Sequence, residues 1–360
     1  MKTIKKLICL LLTAVFLLSA ASCKKSEEVA VMTLGDSVIT ENMYSYWISS
    51  YKANFLTSYS DVSDTEEFWN SALTDGLTAE QFLSQLVLEY VQMDLVSMYL
   101  FDEFGLKITS EDKKAAESIV ADMLEYAGGN KTVFNQALSA YGVNYKMLCD
   151  IYLQEFKSTY VYDYVFENNV LIVDDDVKQE YLEENYARVR HIFINNAYDT
   201  EKSAYDADGN FVMEPLSESA QAEKDQKIAD AVAALENGTD FDTVYEEYSE
   251  EKAYKNGYYL SASTTGLPSE LITNAFKTEI GETATFTSQY GTHIIMRLEM
   301  DTAPYKNEDS EDFFEDFTDA VYENTFMEYV RSYFDKIEIN SEALSAYSIK
   351  DALPNYSFQY

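Results

Sequence analysis

From residue 41 to about residue 185 the apolar pattern of the chain is helical, and at residue 186 it changes to strand alternation. That break sets the architecture. A solute-binding lobe needs strands and helices in turn, so a helix-only stretch of this length argues against a solute-binding lipoprotein. Only four prolines occur in 360 residues, which suits long helices. The clearest is "TAEQFLSQLVLEYVQMDLVSMYLFDEFG", residues 78–105. Thr78 caps it, Gln81 closes a capping box and Gly105 stops it. It is apolar around most of its circumference and is expected at the centre of a core. Before it, "VAVMTLGDSVIT" reads as two short strands about a Gly35-Asp36 turn, "ENMYSYWISSYKANFL" as a helix and 60–77 as a polar loop. After it come a helix with Thr109 and Asp112 as a capping pair, two more helices to about residue 169, and "VDDDVKQEYLEENY" with acids at its N-terminus.

Beyond the break, "ARVRHIFINN" reads as a strand and "YDADGNFVME" as a hairpin turning at Asp208-Gly209. Two helices, a strand in "KNGYYLSAS", a helix in "PSELITNAFKT" and a terminal hairpin in "ATFTSQYGTHIIMRLEM" follow. The order β-α-α-β-α-β-β suffices for one small α+β domain. The last sixty residues return to helix, with a long amphipathic stretch over "NEDSEDFFEDFTDAVYENTFMEYVRSYFDKIEI". It has no partner of its own and is expected to fold back on the first helices, with "KIEIN" pairing with 30–40. The expected fold is therefore α+β, an all-helical body made of the N- and C-terminal segments with an inserted α+β domain. The expected boundaries are 1–22 for a leader, 23–30 for a tether, 31–185 and 301–360 for the helical body, and 186–300 for the insertion.

The first residues are an address. "MKTIKK" followed by "LICLLLTAVFLLSAAS" is a basic start, a short apolar run and small residues, as in a secretory signal peptide. Cys23 comes next, so the stretch resembles a bacterial lipobox, and Cys23 is the expected lipidation site. The expected location is extracytoplasmic, with the chain lipid-anchored to the cell membrane. Of the other two cysteines, Cys9 lies in the leader and Cys149 stands alone, so the mature chain forms no internal disulfide. Removing Lys2, Lys5 and Lys6 with the leader leaves 23 basic against 63 acidic side chains, a formal balance of −40. That charge repels phosphates and argues against nucleic acid as a partner. It favours solubility and basic clients.

Two histidines occur in the whole chain, His191 and His293, each beside an apolar strand-like run. Histidine serves as metal ligand, acid or base, or satisfied core residue. No HxxxH and no cysteine pair is present, so no metal site is expected. No GxSxG is present for a serine nucleophile. Asp206 and Asp208 sit on an acidic turn without EF-hand spacing, so a hairpin tip is expected there. Two core histidines is the reading that residue type alone favours.

The order of features changes that reading. Arg190-His191-Ile192 on the first strand, Gly238-Thr239-Asp240-Phe241 and Tyr248-Ser249 around a short helix, Ala275-Phe276 and Gly281-Glu282, and Tyr290-Gly291-Thr292-His293-Ile294-Ile295 on the last strand follow one another in 186–300. Together they resemble the parvulin family of peptidyl-prolyl cis-trans isomerases. The flanks resemble the helical chaperone body of the PrsA and SurA foldases, and the lipoprotein start resembles PrsA.

The resemblance implies side-by-side catalytic roles for His191 and His293, with Thr292 next door and an acid shortly after the Tyr-Ser step, here Glu251. It implies a proline pocket at Tyr259, Ala262, Leu267 and Leu271, where Ala262 replaces an aromatic. Losing that wall costs on the order of 1–3 kcal/mol of proline binding. It implies no cofactor, and partners that are unfolded or newly secreted proteins with X-Pro bonds; a homodimer stays open. Two functions follow from it. One is a membrane-anchored foldase that isomerises X-Pro bonds. The other is a non-enzymatic holdase whose degenerate parvulin domain binds peptides.

Overall fold

A computed structural model describes residues 28–358 apart from 60, 61, 75, 207–210, 253 and 255. The leader and Cys23 lie outside the described residues, as does the Asp208-Gly209 tip. The fold is α+β and forms two compact units. One unit takes the chain up to Leu171 together with everything from Phe326, and the other is Ile172–Thr325. In chain order the strands are β1 (Ala30–Leu34), β2 (Ser37–Thr40), β3 (Ala72–Thr74), β4 (Leu77–Thr78), β5 (Tyr186–Ile194), β6 (Ala204–Tyr205), β7 (Phe211–Val212), β8 (Tyr258–Ser261), β9 (Thr283–Ser288), β10 (Gly291–Leu298) and β11 (Glu338–Ile339).

The first unit is built around helix Ala79–Glu103. Thr78 and Gln81 form the expected capping box at its start. Leu83, Val87, Val91, Leu95 and Val96 are buried at helical spacing and pack against helices Glu41–Ser58 and Tyr145–Glu167. Truncating Leu83 or Leu95 to alanine costs about 2–5 kcal/mol. Strand β1 lies between β11 and β2, with Met32 opposite Ile339, so the chain's return to its first strand is present. The stretch expected as a polar loop instead contains helix Glu66–Asn70 and the β3–β4 hairpin. The cause is Trp69, which is fully buried and donates its indole N–H to Asp64 at 2.7 Å. Lys52 is buried beside it. Its ammonium meets Asp64 at 2.9 Å and donates to the carbonyls of Lys350 and Ala352 at 2.8 and 2.9 Å. A buried lysine is tolerable only with such a full set of acceptors. Cys149 is buried and unpaired.

The second unit holds an antiparallel sheet in the order β8-β5-β10-β9. On one face Ile192, Ile194 and Ile294 pack against helices Glu218–Glu236 and Phe241–Tyr248. On the other face Ala187, Val189, Tyr258, Leu260 and Ile295 pack against Leu271 and Ala275 of helix Ser269–Lys277. The expected limits 186 and 300 fall inside this unit. Leu182 before the sheet and Phe314, Phe317 and Val321 after it bury Tyr186 and Tyr259 in one apolar cluster, which ties both flanks to the sheet.

The long C-terminal helix is also broken. The chain makes 3-10 turns at Pro304–Lys306 and Glu308–Phe313 before helix Phe317–Arg331. Asn307 accepts a hydrogen bond from the amide of Asp309, an Asx turn that competes with helix, and Phe313 and Phe314 turn inward to the sheet unit.

Candidate functional site

The two histidines meet through strand register. In the β5–β10 ladder His191 is opposite Ile295 and His293 is opposite Phe193. The imidazoles are thus diagonal neighbours on one face of the sheet, the face covered by helix Ser269–Lys277. Their rings lie parallel to within 13°, with centroids 5.1 Å apart. His191 Nε2 and His293 Nδ1 share a hydrogen at 2.9 Å, and His293 Nε2 shares another with Ser288 Oγ at 2.8 Å. His191 Nδ1 is buried without a hydrogen-bond partner. Phe286, opposite His293 on β9, stacks on its ring at 5.2 Å. Tyr258 meets the His191 ring edge-on at 5.3 Å.

Gly291 makes this geometry possible. Its φ is +150°, and a Cβ there would stand 2.5 Å from the carbonyl oxygen of Ile194 and 2.9 Å from Cα of Asn195. Only glycine allows β10 to start this close to β5.

Both histidines are shielded from water, with 6% of His191 and 2% of His293 exposed. Burial, and for His191 also the neighbouring His293, pulls the His191 pKa down to about 3. Burial pulls His293 down to about 4, against a smaller upward pull from the Glu270 charge. The pair is therefore neutral at physiological pH. It forms a fixed chain of polar groups ending at the half-buried Ser288 hydroxyl, in place of a titrating base.

Glu251 reaches this assembly through Tyr258. The Tyr258 hydroxyl donates to the Glu251 carboxylate at 2.5 Å, and burial and that carboxylate push the Tyr258 pKa up. Ser249 anchors the loop, receiving the Phe193 amide at 3.1 Å and donating to the Glu251 carbonyl at 2.7 Å. Glu250 is turned to Lys224 and Lys227.

The expected pocket residues divide. Leu267 is half-buried and lines a cavity of about 510 Å³ with Gly266, Pro268, Glu270, Gln289 and Tyr290, beside the Ser288 end of the histidine chain. Leu271 is fully buried beneath the sheet, packed with Ala187, Val189 and Ile295. Ala262 is exposed in the turn after β8. Thr292 does not join His293. Strand alternation sends it to the opposite face, where it donates to Asn196 at 3.0 Å. Tyr259 alternates away from Tyr258 in the same manner, and its hydroxyl donates to Asp301 at 2.6 Å.

Tyr258, Phe286 and Ser288 are site residues that sequence reasoning missed. The signal for the last two is the turn Gln289-Tyr290, which fixes Ser288 opposite Gly291 and so Phe286 opposite His293. Among the described residues no group of three or more His, Cys, Asp or Glu is placed to hold a metal ion, and no helix is long and apolar enough to cross a membrane.

Residues 176–300 match the sequence model of the PPIC-type PPIASE domain family. No curated protein matches the chain. Among solved structures the chain is similar to PrsA from Bacillus subtilis, with 18% identity and a TM-score of 0.24 over 79% of this chain and 92% of that one. It is similar to the foldase protein PrsA from Streptococcus pneumoniae, with 16% identity and a TM-score of 0.23 over 80% and 96%. A Campylobacter jejuni structure from a study of the SurA-like chaperones PEB4 and Cj1289 gives 10% identity and a TM-score of 0.25 over 86% and 99%.

Proposed function

We propose, from the premise that residues 176–300 are a PPIC-type peptidyl-prolyl isomerase domain, that this chain is a foldase. It accelerates cis-trans isomerisation of X-Pro bonds in unfolded, newly secreted proteins. It works outside the cytoplasm, held to the membrane by a lipid on Cys23. The leader and the lipobox-like residues before Cys23 support that location.

The observation that carries the reading is the chain Ser288–His293–His191, buried and neutral beside a cavity with an apolar wall at Leu267. The amide barrier is about 18–20 kcal/mol, and the uncatalysed reaction takes roughly tens of seconds. No bond to another group forms or breaks, so the site has only to bind the twisted amide better than the planar one. Leu267 holds the prolyl ring. The Ser288 hydroxyl, fixed by His293, faces the amide whose carbonyl loses conjugation as it twists. His191 and His293 act as positioning residues, since neutral imidazoles held by each other need no reorganisation during the turn.

A second reading is a holdase that binds peptides without changing their rate. It is favoured by the exposed Ala262, which supplies no aromatic wall.

A protease-free exchange measurement on an Ala-Pro peptide separates the two. His293→Ala and Ser288→Ala are each expected to lower the exchange rate at least tenfold, with the fold checked by near-UV circular dichroism. Unchanged rates in folded variants would remove the isomerase reading. Suppression of client aggregation without any rate effect would then mark the holdase.

A further inference from the structure

A second cavity, of about 370 Å³, is lined in part by Tyr258, the ring that meets His191 edge-on. Tyr254, Tyr258, Tyr259 and Phe313 line it, and Asp312, Glu315 and Asp316 stand exposed at its rim. Phe313 lies outside residues 176–300 and belongs to the 3-10 turn Glu308–Phe313. Its ring stands 4.8 Å from Tyr254, 5.8 Å from Tyr258 and 5.9 Å from Tyr259.

We propose that this cavity is a specificity subsite, taking a lysine or arginine side chain of the client two or three residues from the isomerised X-Pro bond. The proposal deepens the isomerase reading and rests on it. Three observations support it. The first is continuity: the cavity shares Gly266 and Leu267 with the one beside the histidine chain, so an extended client seated in one passes the other. The second is the lining. Aromatic faces around a long apolar stem with a cationic tip suit lysine and arginine better than any other side chain. The third is charge. Three exposed carboxylates, Asp312, Glu315 and Asp316, stand at the lining of the cavity and draw a cation towards it. The segment after the matched domain thus adds one more ring, Phe313, and an acidic rim to a cavity whose tyrosines belong to the domain.

The test uses the full chain and peptides with one Ala-Pro bond flanked, two or three residues away, by Lys, Ala or Glu. Exchange rates and fluorescence anisotropy are both measured at fixed ionic strength. The Lys peptide is expected to bind at least tenfold more tightly than the Glu peptide. Asp312→Asn with Glu315→Gln and Asp316→Asn, and separately Phe313→Ala, should bring the two within about threefold. A control neutralising three exposed acids elsewhere, Glu111→Gln, Glu117→Gln and Glu125→Gln, should keep the preference. If that control abolishes it equally, the preference is bulk charge and the subsite is overturned. Acceleration of all three peptides with equal affinity also overturns the subsite and leaves the isomerase reading standing. A lysine preference in anisotropy without any acceleration keeps the subsite as a peptide-binding feature and removes the isomerase reading.

Discussion

At the scale of residues, the histidine pair carries a definite pH signature. A free imidazole titrates near 6.5. Here burial holds His191 at about 3 and His293 at about 4. Isomerisation is therefore expected to be flat from about pH 5.5 to 8, measured as kcat/KM on an Ala-Pro peptide. An inflection near 6.5 would mean that an imidazolium forms in the working site. Stability moves differently. Below pH 6.5 the unfolded chain binds protons at these histidines and the folded one does not, so their contribution falls as pH drops from about 6.5 towards 4. The pair was legible in the sequence because motif order marks both positions. Its partners were not, since Tyr258 on β8 and Phe286 and Ser288 on β9 come to it from two other strands, and their contacts depend on register. Thr292 shows the converse: adjacency along a strand means opposite faces.

At the scale of elements, the caps were readable and the exceptions were tertiary. Thr78 with Gln81 and Thr109 with Asp112 cap as their spacing requires, since capping is local. The helix at Glu66–Asn70 exists because Trp69 finds a buried site, and the break before helix Phe317–Arg331 exists because Phe313 and Phe314 pack on the sheet. No local pattern announces either.

Two neighbouring helices of the body also carry a liability. Asp94 on Ala79–Glu103 and Glu155 on Tyr145–Glu167 have no cationic partner among the described residues. Burial pushes both pKa values up to about 7, and the Glu155 charge adds to the rise at Asp94. The folded state then holds protons that the unfolded state releases near pH 4, so stability falls as pH rises from about 4 to about 7. Asp94→Asn combined with Glu155→Gln is expected to raise Tm by several degrees at pH 8 and hardly at all at pH 4.5, as read by thermal circular dichroism. An equal shift at both pH values would sink this account of the pair.

At the scale of the whole molecule, the break at residue 186 was a true change of secondary structure and a poor guide to where a unit ends. Periodicity reports the class of an element, whereas a boundary is set by which apolar surfaces cover each other. Tyr186 and Tyr259 are nearly buried, and what buries them is Leu182 on one flank and Phe314, Phe317 and Val321 on the other. Asp301 adds polar ties, pairing with Arg188 at 2.6 Å and accepting the Tyr259 hydroxyl at 2.6 Å. A fragment cut at 186 and 300 loses all of these together. It exposes two tyrosine rings and leaves the half-buried Arg188 without its carboxylate, at a cost of several kcal/mol in a domain whose whole margin is about 5–15 kcal/mol. Expression of 172–325 is expected to give a fragment with one cooperative thermal transition. The fragment 186–300 is expected to melt at least 10 °C lower or without cooperativity. Restoring only residues 301–325 should recover part of the difference, because Leu182, Val177 and Tyr181 would still be missing from the cluster. Equal melting of 172–325 and 186–300 would show that the sheet and its own helices suffice, and that the flanking aromatics contribute to the cavity beside Phe313 without holding the unit together.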